Sequence, residues 1–89
     1  MKFTHEDQVT FAKIALRIFD AEKDDVKNLE TLLEFGEIFK KHSDENNALI
    51  FDVTEYIYEQ LRLLKGDKDA IDDIELREAI ESDIGGHDS

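Results

Sequence analysis

Phe3-Thr4-His5-Glu6-Asp7-Gln8-Val9-Thr10-Phe11-Ala12-Lys13-Ile14-Ala15-Leu16-Arg17-Ile18-Phe19-Asp20-Ala21 decides the fold class of this chain. Val9, Ala12, Ala15, Leu16 and Phe19 fall at steps of three and four, so they share one face of a helix, and Phe11 and Ile18 widen it. Glu6, Thr10, Lys13 and Arg17 line the other face. Thr4 stands where a helix N-cap belongs, and Glu6 and Asp7 place negative charge at the electropositive start. The stretch predicts a helix from the Thr4 cap to about Ala21.

Outward from it the same period continues, with no proline anywhere to break it. A second helix is expected from Asp24 or Asp25 to about His42, with Val26, Leu29, Leu32, Leu33, Gly36 and Phe39 inward and Glu30, Glu34 and Glu37 in a surface row opposite. Gly36 falls on the apolar face, where it costs about 1 kcal/mol relative to alanine. Close approach of a neighbouring helix, or a local kink, would justify it. After the polar turn 42–47, a third helix is expected from about Asn47 to Lys65, closed by Gly66, with Leu49, Val53, Tyr56, Ile57, Leu61 and Leu64 as its core stripe. A fourth is expected from an Asp67 cap to about Ile84, stopped by Gly85-Gly86. Its pattern is the poorest: Ala70, Ile71 and Ile74 lie together, while Leu76 and Ile80 drift around the cylinder. The expected fold is all-α, a small bundle of three to four helices, in one domain over 1–84 with a flexible tail at 85–89.

The 89 residues are 40% hydrophobic, with six Phe, which supports a modest core. Cysteine is absent, so disulfides, thiolate metal sites and thiol nucleophiles are excluded. The longest apolar run, Ala48-Leu49-Ile50-Phe51, is far short of the roughly 20 residues that span a bilayer, and the first residues lack a signal-peptide core. A cytoplasmic protein without membrane association is expected.

Charge divides the chain. Residues 43–89 hold 14 acids against 4 bases, whereas 1–42 hold 9 against 7, and the whole carries −12. An acidic half at 43–84 repels nucleic acid directly and attracts basic protein surfaces, above all those built to hold phosphates. Asp69, Asp72, Glu75, Glu78 and Glu81 recur at three-residue intervals, which wrap a helix instead of forming one edge. If helical throughout, 67–89 would carry one net charge per about 5 Å, against one per about 1.7 Å for duplex DNA. A second row on helix three, Asp52, Glu55 and Glu59, or a homodimer, would raise that density. Phe51 and Tyr58, seven residues apart, project together from the side of helix three opposite its core stripe, flanked by Glu55, Glu59 and Arg62. They either pack beneath helix one or four or anchor a protein interface. Gln60, near the apolar stripe, reads as a satisfied or partly exposed amide and not as a catalytic group.

Other chemistries fail on spacing. Asp67-Lys68-Asp69-Ala70-Ile71-Asp72 opens like a calcium loop, but Ile71 and Asp72 occupy positions that need a ligand and a glycine. His5, His42 and His87 form no metal-binding pair, and no glycine-rich phosphate loop is present. No metal, cofactor or catalytic residue is expected, and the chain reads as a non-enzyme.

In size, helical character, absent cysteine and the carboxylates Asp52, Glu55, Glu59, Asp69, Asp72, Asp73, Glu75, Glu78 and Glu81, the chain resembles the small acidic phage proteins that mimic DNA, the Ocr- and Arn-type anti-restriction proteins. The resemblance is compositional and covers the C-terminal half. It implies a dimeric or elongated inhibitor that occupies the basic DNA- or RNA-binding site of a host defence or nucleic-acid enzyme. The expected contacts are Asp52, Glu55, Glu59, Asp69, Asp72, Glu75 and Glu78. The alternatives are an immunity- or antitoxin-like helical protein gripping one basic partner through Phe51 and Tyr58, and a non-catalytic adaptor bundle whose acid confers solubility. Nucleotide-sized ligands at an oligomer interface would instead use Lys13, Arg17 or Lys40-Lys41.

Overall fold

A computed structural model describes residues 2–43 and 47–85. Four helices, α1 (His5–Glu22), α2 (Val26–Lys41), α3 (Ala48–Leu64) and α4 (Ile74–Gly85), form an all-α bundle. The start of α1 follows from its sequence: Thr4 accepts from the Asp7 amide while Asp7 reaches back to the Thr4 amide at 2.9 Å, a closed capping box. Asp25 caps α2 by accepting from the Asn28 amide at 3.0 Å. Gly66, at φ 82°, ends α3 in the left-handed conformation that glycine adopts without a Cβ penalty.

The first three helices present the faces their periodicity requires. Ala12, Ala15, Leu16 and Phe19 from α1, Leu29 and Leu32 from α2, and Leu49, Val53, Ile57 and Leu61 from α3 meet in one core. Ile18, expected to widen the apolar face of α1, is instead exposed, because the face turned to the core is narrower than the apolar arc of the sequence. Both α1 and α3 touch all the other helices, whereas α2 and α4 do not touch each other among the described residues. Gly36 marks the crossing of α2 over α3. A Cβ there would lie 2.8 Å from Cγ2 of Thr54, so the helices are as close as they are because this position has no side chain. At one end of the bundle, Phe39 stacks between Phe3 (4.0 Å) and Phe11 (4.7 Å), and the Phe3 amide donates to the His42 carbonyl at 2.7 Å. Gln60 is a satisfied amide: Nε2 donates to the Lys23 carbonyl at 2.8 Å, tying α3 to the end of α1.

The fourth segment differs from its sequence reading. It is not helical from Asp67: α4 begins at Ile74, and residues 67–73 are turn and irregular chain. Asp67 is drawn into other bonds, accepting from the Asp69 amide at 2.9 Å and from Arg62 Nε at 2.8 Å, so it caps a turn instead of a helix. The helix start falls to Asp73, whose Oδ1 accepts from the Leu76 amide at 3.0 Å and whose carbonyl accepts from the Arg77 amide. With the start moved, the inward face changes. Ile71 and Ile74 are exposed, and Ile80, with Leu76 and Ile84 beside it, is the residue that enters the core. The tail expected at 85–89 begins on the last residue of α4, and 86–89 lie outside the described residues.

Candidate functional site

Two surfaces bear on function, and α3 separates them. On the side facing α2, the helices run antiparallel: Lys65 at the end of α3 pairs with Glu30 near the start of α2 at 3.2 Å, and Lys40 at the end of α2 lies 5.0 Å over the ring of Phe51 near the start of α3. Between them runs an open groove of about 610 Å³, floored by Leu33, Ile38, Tyr58 and Leu61. Glu30, Glu34 and Glu37 border it on α2, and Arg62 and Lys65 border it on α3. Past Glu37 and Ile38 it continues into a second hollow that reaches Asn47 and Phe51. Phe51 and Tyr58 are 54% and 50% exposed and Ile38 is 57% exposed, so these large apolar groups remain in water. Packing beneath α1 or α4 is thereby excluded for both aromatics, because the α3 face that carries them turns toward α2 and solvent. Phe35, on the outer side of α2, is 60% exposed.

Charge along this groove is mostly spent within the protein. Glu30 is held by Lys65 and Glu37 by Lys40 at 3.0 Å. Arg62 is clamped between Glu59 (2.7 Å) and Asp67 (2.8 Å), which raises its pKa and holds the Asp67 carboxyl below its usual value. Glu34 on one rim and Glu55, between Phe51 and Tyr58 on the other helix, have no partner among the described residues.

On the opposite side of α3 lies α4, and there the carboxylate row Asp52, Glu55, Glu59 separates. Glu59 is buried, at 9% exposure, with Oε1 on Arg62 and Oε2 accepting from the Ile71 amide at 3.5 Å. It holds the 67–73 segment and does not face a partner, which corrects its assignment as a surface contact. Asp52 is half-buried, and burial, then the nearby Asp83 charge, pushes its pKa up. Only Glu55 of the three is freely exposed. Asp69 and Asp72 precede α4 while Glu75 and Glu78 lie on it; all four are exposed with side chains unpartnered among the described residues, but they do not form one continuous helical ladder.

The site that sequence reasoning missed is the clamp of α4. Arg77 donates through both terminal nitrogens to Asp20 at 2.9 Å each, through Nε to Glu81 at 2.6 Å, and to the hydroxyl of Tyr56 at 3.3 Å. Tyr56 in turn packs on Phe19 at 4.6 Å. The Arg77 hydrogen bond holds the Asp20 carboxyl below its usual range. The Arg77–Glu81 spacing of four was visible in sequence; the 57-residue separation of Asp20 and Arg77 was not.

No group of three or more metal-ligating side chains assembles among the described residues, and no helix there is long and apolar enough to cross a membrane. Fold and surface together define a small acidic helical bundle with an open apolar groove between α2 and α3. The chain matches no protein-family model, no curated protein and no solved structure.

Proposed function

We propose that this protein is a non-catalytic binder that docks one basic protein partner through the α2/α3 face, with Phe51, Tyr58 and Ile38 as anchors and its overall negative charge as the steering field. The observation that carries this reading is that Phe51, Tyr58 and Ile38, each half exposed or more, line one continuous groove between α2 and α3. Aromatics set beside polar rims supply the buried anchors that dominate interface energy. The net charge of −12 speeds encounter with a cationic surface and discourages anionic ones.

A second reading, inhibition of a nucleic-acid enzyme by carboxylates that stand in for phosphates, is favoured by one observation. Glu55, Asp69, Asp72, Glu75 and Glu78 are exposed and unneutralised. The test is affinity capture of a partner from host lysate, eluted with a salt gradient, using wild type, Phe51→Ala/Tyr58→Ala and Glu55→Lys/Glu75→Lys/Glu78→Lys. Loss of capture in the aromatic variant, with binding that persists at high salt and in the presence of duplex DNA, supports the groove. Loss in the charge-reversed variant, with displacement by DNA at moderate salt, supports mimicry and overturns the groove. No captured partner with either chemistry returns the chain to a solubility-adapted adaptor bundle.

A further inference from the structure

The charges that line the two hollows of the α2/α3 groove are balanced in a chain that is not. Three acids, Glu30, Glu34 and Glu37, stand with four bases, Lys40, Lys41, Arg62 and Lys65, on a protein of net charge −12. Glu30, Glu37, Lys40, Arg62 and Lys65 are held in ion pairs, whereas Glu34 and Lys41 are exposed and have no partner among the described residues. These two are seven positions apart on α2, about 10.5 Å along the axis and about 20° apart around it. Neighbours on a helix pair at three or four positions, so Glu34 and Lys41 point outward separately. Ile38 lies between them and is 57% exposed. A ligand segment of single sign neutralises one of the two at most, while a segment with the same spacing of opposite charges, run the other way, meets both.

We propose that the α2/α3 face joins two copies of this chain in an antiparallel, two-fold dimer, with Ile38 of each copy at the axis and Glu34 of each paired with Lys41 of the other. In a two-fold interface every contact occurs twice, so one unpaired acid and one unpaired base become two intermolecular ion pairs. The register extends to α3. Lys40 lies over Phe51, and Tyr58, two turns further along α3, lines the groove beside Leu33 and Glu34, so the axis that crosses α2 at Glu37–Ile38 sets Phe51 of one copy against Tyr58 of the other. The inference rests on the reading of this face as a docking surface; the second copy fills it until another partner displaces it. Two charges oppose the contact. Glu55, between Phe51 and Tyr58, is level with the axis and faces its own copy, and the −12 of each chain repels at longer range. Salt screens both, so the dimer tightens as salt rises, the opposite of what attraction to a basic protein does.

The test is sedimentation velocity of the full chain over a concentration series, with wild type at 0.05 M and 0.5 M NaCl. Glu34→Lys, Lys41→Glu and their equimolar mixture are compared with wild type at 0.15 M. Both replaced side chains are exposed, and circular dichroism checks that the variants are folded. The expected result is a wild-type dimer that tightens with salt, and self-association weakened about five-fold or more in each variant, where two ion pairs become two like-charge contacts. The mixture is expected to return to wild-type affinity as a heterodimer, because every contact then pairs opposite charges while the mean net charge equals that of wild type. A wild type that stays monomeric at both salt concentrations overturns the inference. So do variants that dimerise like wild type, or a mixture no tighter than its components, because Glu34 and Lys41 then do not meet. If wild type is monomeric but Phe51→Ala/Tyr58→Ala still loses the captured partner, the dimer falls and the docking face stands. If the heterodimer forms but capture ignores the aromatic variant, the dimer stands and the partner reading of this face falls.

Discussion

Gly36 and Thr54 show how a single missing side chain sets a helix spacing. Alanine at 36 would gain about 1 kcal/mol of helix propensity, yet its methyl would meet Thr54 Cγ2 at 2.8 Å. Thr54 is buried and its hydroxyl donates to the Phe51 carbonyl at 2.9 Å, so it has little freedom to yield. Gly36→Ala is therefore expected to destabilise the bundle by about 1–2 kcal/mol net in urea unfolding, the overpacking cost exceeding the propensity gain. Thr54→Ser keeps the hydroxyl and removes the obstructing methyl, so in its background Gly36→Ala should become neutral or stabilising. Additive effects in the double variant would refute the contact as the cause. Asp52 supplies a pH-dependent counterpart. Its folded pKa is raised by burial and by Asp83, so its contribution favours the fold only below the unfolded value near 3.8 and is lost as pH rises through the folded pKa. Asp52→Asn should raise stability at pH 7 and leave it nearly unchanged at pH 3. Equal stability of the two proteins at pH 7 would contradict this.

Among the elements, α4 depends most on long-range partners. It is the shortest helix, it contributes Ile80 as its one fully buried side chain, and Arg77 fastens it to Asp20 of α1 and Tyr56 of α3. Arg77→Lys keeps the charge but loses the planar two-pronged contact. The expected cost is about 1–2 kcal/mol, the lower part of the range for charged hydrogen bonds because Asp20 is more than half exposed. Amide hydrogen exchange should show α4 opening before α1–α3 in this variant, and uniform exchange across the four helices would argue against a separate α4 clamp. Asp20 reports the same contact through pH: its depressed pKa contributes stability above about 3.8 that is lost as pH falls through the folded value. At the start of α4, Asp73→Ala should cost about 1 kcal/mol by removing the cap on Leu76, while Asp67→Ala should not shorten the helix.

For the whole molecule, a charge of −12 on 89 residues makes self-repulsion a term in folding. Salt screens that repulsion and also the attraction to a cationic partner, with a Debye length of about 10 Å at 0.1 M and 3 Å at 1 M. The melting temperature should therefore rise between 20 mM and 500 mM NaCl while the association rate with a basic partner falls. A melting temperature that drops over this range would mean that the internal ion pairs, and not the net charge, dominate.

Periodicity and end residues determined α1, α2 and α3, most of their inward faces and the ends at Thr4 and Gly66, and they narrowed the start of α2 to Asp24 or Asp25 and Gly36 to a close approach or a kink. Those features arise from neighbours within one or two turns, where residue spacing maps directly onto geometry. The fourth segment was legible only as far as its composition: Asp67 reads locally as the helix cap, and the start at Asp73 instead was decided by Arg62 and Glu59, which hold Asp67 and Ile71 from another helix. The candidate site divides in the same way. The shared face of Phe51 and Tyr58 was readable in α3, but whether water or another helix covers it depends on which side of α3 receives α4. Tertiary packing decided that: it turned Asp52 and Glu59 inward against α4 and its loop, left the aromatics open beside α2, and joined Asp20 to Arg77 across 57 residues of chain that no local pattern connects.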